Sequence, residues 1–160
     1  LPQAHLGLAF AFGIPMAFME IRGSIPLEAY LLMVANICWT LIYDTEYAMC
    51  DRDDDKKINV RSSALLFEAL LGERDYYIII ALQGAMLLLL TIVSIRLEHG
   101  LIVYLGLLVV AGLFIQQIMM IKGHDRLACF NAFLQNNRVG MTYFIVLLLH
   151  YLPSPEAIGG

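Results

Sequence analysis

Charge is what this sequence has least of. Lys, Arg, Asp and Glu supply only 24 of its 160 residues, or 15%, against roughly 25% in an ordinary soluble domain. Too few charges remain to cover a water-facing surface, so an ordinary soluble domain is excluded. With 60% hydrophobic residues, disorder is excluded too, since it requires low hydrophobicity and high net charge. There is no basic excess. The formal charge is −4, which argues against nucleic acid as a partner. Cysteine is scarce: Cys38, Cys50 and Cys129 are odd in number and show no CxxC spacing. They read as small hydrophobic residues, not as a disulfide framework or zinc cage. His5, His99, His124 and His150 include no pair at metal-ligand spacing. A basic leader with a short apolar core and a cleavage site is also missing. The chain opens at Leu1 directly into apolar sequence, and the expectation is that its natural N-terminus lies upstream.

Long apolar runs take the place of the missing charge. Five stand out, at residues 6–21, 29–50, 76–95, 101–121 and 139–152. About 20 residues of helix cross the hydrocarbon core, which the second, third and fourth satisfy. The first is interrupted by Gly13 and Pro15, which membrane helices tolerate, and it starts nearer Gln3. The last has 14 residues; it spans by recruiting neighbours such as Asn137 or Pro153, or by local thinning of the bilayer. A soluble helical bundle would carry a polar stripe with a period near 3.6 residues, and the run Met86 to Ile95 has none. Met119, Met120, Gln116 and Gln117 read as packing inside a bundle. Trp39 and the tyrosines at 76, 77, 143 and 151 read as packing or interfacial anchors. The expected fold class is therefore an all-α integral membrane protein with five crossings in a lipid bilayer.

With five crossings, residues before 6, the loop 51–75 and the loop 122–138 share one side. That side holds Arg52, Lys56, Lys57, Arg61, Arg74, Lys122, Arg126 and Arg138, and the other holds Arg22 and Arg96. Eight basic residues against two place the first side in the cytoplasm. Residues 51–75 also concentrate 12 of the 24 charged side chains.

That charged island begins where the second apolar run ends, in YDTEYAMCDRDDDKK. Asp44 lies six residues inside the apolar limit, a costly depth that usually means a cavity or a partner. At about 100° per residue, Asp44, Asp51 and Asp55 fall on one stripe with Tyr47 beside it, while Glu46, Asp53 and Asp54 point elsewhere. Carboxylates on one face repel, and a helix C-terminus disfavours negative charge. A cation resolves both conflicts. Magnesium suits carboxylates that retain water and bridge to substrate phosphates, and Lys57 and Arg61 stand ready for diphosphate oxygens. Asp53 and Asp54 read as a solvated cap. A calcium-binding EF-hand fails, because Lys56 replaces its turn glycine and Ser62 its bidentate glutamate.

These residues resemble the second aspartate-rich motif of the UbiA family of intramembrane aromatic prenyltransferases, in the wording YDTxYAxxDRxDD with a lysine two places on. Tyr43, Asp44, Thr45, Tyr47, Ala48, Asp51, Arg52, Asp54, Asp55 and Lys57 all fit. KINVRSSALLF, ACFNAFLQNNRVG and the opening IPMAFMEI are similar to further family stretches. Glu46 stands where this subgroup often has Gln. The family has about nine transmembrane helices and a first Asn/Asp-rich motif, which this sequence does not include. The resemblance therefore implies that residues 1–160 are the C-terminal half of a single domain.

It also implies a reaction: magnesium-dependent transfer of a polyprenyl group from polyprenyl diphosphate to 4-hydroxybenzoate, ortho to the hydroxyl, in ubiquinone biosynthesis at the bacterial cytoplasmic membrane. Asp51 and Asp55, with Asp44 deeper, would serve the metal and catalysis. Lys57 and Arg61 would hold diphosphate. Tyr47 would shield a developing cation or simply pack, and Asp44 would orient the phenol or take the ring proton. The alternatives are another branch of the family with a different aromatic or quinone acceptor, and a cation channel or transporter with Asp44 on its path.

Overall fold

A computed structural model of the protein describes residues 2–58 and 62–152. Arg61 and Pro153 lie outside the described residues. All regular structure among the described residues is helical, in eight α-helices: α1 Pro2–Ala11, α2 Gly13–Arg22, α3 Leu27–Cys50, α4 Arg52–Lys57, α5 Ser63–Leu71, α6 Tyr76–Arg96, α7 Leu101–Ile121 and α8 Arg126–Tyr151. A 3₁₀ turn, Gly72–Arg74, leads into α6.

Four long helices form a closed ring. α3 packs on α6, α6 on α7, α7 on α8, and α8 returns to α3. α1 lies along α3, and its Gly7 lets the backbones approach: a Cβ there would lie 3.2 Å from Thr40 Cβ. The core is Ala35, Ile42, Ile79, Met86, Leu90, Leu107, Val110, Phe114, Ile121, Cys129 and Val139. Two glutamines inside it pair with each other, as a low-dielectric interior favours. Gln83 Nε2 donates to Gln117 Oε1 at 3.0 Å, and Gln117 Nε2 donates to the Ala132 carbonyl at 3.4 Å. The ring alternates direction, so one end gathers the close of α3, the start of α6 and the α7–α8 turn. The other end gathers Glu28, Arg96, His99 and His150, with Arg96 Nε 2.6 Å from Glu28 Oε1. There, burial and the neighbouring His150 hold the His99 imidazole below its ordinary pKa.

Among the described residues three helices, α3, α6 and α7, are long and apolar enough to cross a membrane. Their bounds follow the apolar runs closely. The other expected segments differ. Residues 6–21 are divided between α1 and α2 at Phe12, because Pro15 has no N–H to give the Ala11 carbonyl. Residues 122–138 are not a loop. Asp125 accepts the Ala128 amide at 2.8 Å, an N-cap that starts α8 at Arg126 and runs it unbroken to Tyr151. Cys129, Ala132, Asn136 and Val139 are buried at helical spacing on its inner face. The Asn and Gln residues that suggested a loop decorate a helix. Nor is 51–75 plain loop, since it contains α4, α5 and the 3₁₀ turn.

Small residues set the closest helix contacts. At Gly106 of α7 a Cβ would lie 2.6 Å from both methyl carbons of Val146 in α8. Val146 is β-branched and stiff, so it yields little. Gly106→Ala is expected to lower stability by about 1–3 kcal/mol through overpacking, seen as a lower thermal midpoint in detergent. An unchanged midpoint would mean that this contact is not tight.

Candidate functional site

Sequence folds the acidic run in a way that reverses its electrostatics. α3 stops at Cys50, and Asp51 leaves helical geometry at φ −95°, ψ 6°. Its amide closes α3 on the Tyr47 carbonyl at 3.2 Å, and its own carbonyl then accepts the amides of Asp54 and Asp55 at 3.0 and 2.8 Å. Asp53, Asp54 and Asp55 therefore occupy the first turn of α4. A helix start favours negative charge where a helix end opposes it. The single unbroken stripe expected from the sequence is thus divided at Asp51. Asp51 and Asp55 remain one turn apart. Asp44 stays in α3, seven residues or about 10 Å of rise behind, with Oδ2 buried and unpartnered. Among the described residues, no three His, Cys, Asp or Glu side chains converge on one point where an ion would sit.

Basic groups answer the aspartates. Lys57 Nζ lies 3.0 Å from Asp54 Oδ1. Arg126, from the first turn of α8, reaches Asp54 Oδ2 at 3.2 Å and Asp51 Oδ1 at 3.5 Å. The Lys57 hydrogen bond, with Arg126 behind it, holds the Asp54 carboxyl below the ordinary carboxylate range. In the sequence Arg126 is one basic residue among several; its pairing with Asp51, 75 residues away, carries no local signal. Tyr47 is exposed on α3 and meets the Phe133 ring edge-to-face at 5.2 Å.

Beneath this surface lies a fully buried anchor. Asp75 is 0% exposed. It accepts from Arg52 Nη2 through one oxygen and from His124 Nε2 at 2.8 Å through the other. Arg52 also lies 3.9 Å from Glu68, which takes Lys56 at 2.9 Å. His124 holds a left-handed backbone, φ 54°, at the α7–α8 turn. One carboxylate therefore ties α4, the start of α6 and that turn together. Inside the bundle, Thr45 and Ser63 share a buried hydrogen bond of 2.8 Å that docks α5 on α3. Glu46 is also 0% exposed and takes Asn136 Nδ2 at 2.6 Å. By helical spacing Glu46 points away from the Asp44–Asp51–Asp55 stripe; the structure shows it as the buried carboxyl of the α3–α8 interface.

Below Tyr47, aromatic side chains line the seam between α3 and α8. Tyr43 sits 6.4 Å from Phe133 and 6.1 Å from Trp39, centre to centre. Two cavities follow this seam. One, of about 330 Å³, touches Trp39, Tyr43, Phe133 and Met141. The other, of about 370 Å³, is almost wholly apolar and runs from Trp39 to Leu32 and Leu147.

Helices long and apolar enough to cross a membrane, with charged side chains gathered at their ends, define a class: a helical membrane protein. The sequence model of the UbiA prenyltransferase family matches residues 1–148, and the chain belongs to that family. It is 52% identical over 152 residues to a 4-hydroxybenzoate octaprenyltransferase of Cronobacter sakazakii, covering 95% of this chain and 51% of the relative. A protein of the same name from Sodalis glossinidius is 51% identical over the same shares, and one from Methylobacillus flagellatus is 46% identical over 92% of this chain and 49% of its own length. The chain spans about half the length of the curated relatives it matches. No solved structure matches it.

Removing one partner of a buried ion pair leaves an uncompensated charge and costs about 3–5 kcal/mol. Asp75→Ala should therefore loosen residues 52–57 and 122–126 together, read as faster amide exchange in both segments. Faster exchange in only one would contradict a shared anchor.

Proposed function

We propose that the chain is the C-terminal half of a membrane prenyltransferase that moves a polyprenyl group from its diphosphate to 4-hydroxybenzoate, ortho to the hydroxyl, in ubiquinone biosynthesis. The observation that carries this reading is identity of 46–52% over nearly the whole chain to proteins of that named activity. In the same reading the domain makes about nine crossings, the present chain supplies five, and residues 51–58 with the α7–α8 turn face the cytoplasm at the bacterial inner membrane.

The reaction breaks the allylic carbon–oxygen bond, and the electron pair leaves with diphosphate. The ring carbon beside the phenol supplies a π pair to form the new carbon–carbon bond, and its proton is then lost. Each residue has a matching task. Lys57 and Arg61 bind diphosphate oxygens, with charge-assisted hydrogen bonds that strengthen as negative charge accumulates. Asp51 and Asp55 offer hard oxygen donors one turn apart, which fits magnesium bound by one or two carboxylates plus phosphate oxygens. When bound, that ion neutralises the departing diphosphate. Asp44, with its orphaned buried oxygen, orients the phenol or accepts the ring proton, or adds a third carboxylate to the metal site. Tyr47 turns a π face or a packing surface toward the allylic carbon. The apolar seam below receives the tail.

In the whole protein, Asp51→Ala or Asp55→Ala should cut turnover by about 100-fold or more, measured as prenylated 4-hydroxybenzoate. Activity close to that of the unaltered protein without either carboxylate would refute their assignment. Presenting several aromatic acids separates this acceptor from others: turnover of another acid with none of 4-hydroxybenzoate would favour a different family branch. Cation flux without prenylated product would favour a channel.

A further inference from the structure

We infer that Glu46, acting through Asn136, locks Trp39 against Gly140 as a pinch between the two seam cavities, and that this pinch sets which lengths of prenyl tail the site accepts. The inference rests on the prenyl-transfer reading above.

Both cavities are lined by Trp39 and Gly140, so the indole is their common wall. The indole is packed directly on Gly140: a Cβ there would lie 2.6 Å from Trp39 Cη2. Trp39 is 12 residues, or about 18 Å of helix, behind Asp51. A tail with its diphosphate at the charged end therefore meets the first cavity, then the indole, then the wholly apolar second cavity. Short tails end before the pinch and long ones must pass it.

What fixes the indole is a chain of two hydrogen bonds. Trp39 Nε1 donates to Asn136 Oδ1 at 3.0 Å, and Asn136 Nδ2 donates to Glu46 Oε2 at 2.6 Å. An amide has a donor end and an acceptor end. Glu46 gives the donor end a strong acceptor, which leaves the oxygen facing the indole N–H. Asn136 Nδ2 also reaches the Ala132 and Phe133 carbonyls at 3.2 Å each, which reinforces that orientation. Without an acceptor at position 46 the amide is freer to turn, and an NH₂ opposite the indole N–H would repel it. A carboxyl at 0% exposure in a membrane helix is costly, and this positioning role accounts for its presence. Glu46 acts through Asn136 and is therefore a positioning residue.

The test uses the whole protein with 4-hydroxybenzoate and compares kcat/KM for geranyl diphosphate and octaprenyl diphosphate. Trp39→Ala and Glu46→Leu should each shift the ratio about tenfold toward octaprenyl diphosphate. Glu46→Gln keeps an acceptor and should restore the original ratio. Gly140→Ala crowds the same gap and should shift the ratio the other way, and it carries the test with the Glu46 pair if Trp39→Ala does not fold. Parallel loss for both donors, with the ratio unmoved in every folded variant, overturns the pinch and leaves the prenyl-transfer reading standing. No turnover of either donor by the unaltered protein overturns both.

Discussion

Hydrocarbon solvates neither charge nor open backbone, and the arrangement of this chain follows from that constraint. α6 and α7 carry no charged residue between Tyr76 and Ile95 or between Leu101 and Ile121. Most charged side chains are driven to the two ends of the ring, where they meet one another. At one end Arg96 pairs with Glu28; at the other, Asp75 draws in Arg52 and His124, and the aspartates of α4 draw in Lys57 and Arg126. Chemistry that needs charge is thereby confined to an end of the bundle, next to apolar volume. The proposed substrate, with an anionic head and a hydrocarbon tail, matches that division.

The ends are also where helices stop, and stopping positions matter. Breaking α3 at Asp51 converts three aspartates from an unfavourable helix end to a favourable helix start. It keeps Asp51 and Asp55 on adjacent turns while leaving Asp44 at depth. Asp75 then holds this small helix against the α7–α8 turn, so that Arg126 arrives beside it. The site is assembled from three places in the chain, held by one buried carboxylate.

Long apolar runs are legible in a sequence because hydrocarbon imposes their length, and α3, α6 and α7 appear at the expected bounds. The aspartate motif is legible because its wording is dense. Other features were hidden for definite reasons. α8 was divided by its Asn, Gln and Arg residues, which composition reads as loop; only the spacing of Cys129, Ala132, Asn136 and Val139 betrays the helix. The break at Asp51 has no glycine or proline to announce it. Glu46 looked like an off-stripe bystander because its partner, Asn136, is 90 residues away. The partnerships of Asp75 and Arg126 are likewise tertiary and leave no local trace.

The central claim is that Asp51 and Asp55 unite a divalent cation with a diphosphate at the end of α3. The most direct measurement is calorimetric titration of inorganic diphosphate into the whole protein in detergent, with and without magnesium. The account predicts that magnesium tightens diphosphate binding strongly and that Asp51→Asn with Asp55→Asn abolishes the tightening, while the helical fold is kept. Diphosphate binding that is indifferent to magnesium, or a magnesium effect that survives the loss of both carboxylates, would contradict it.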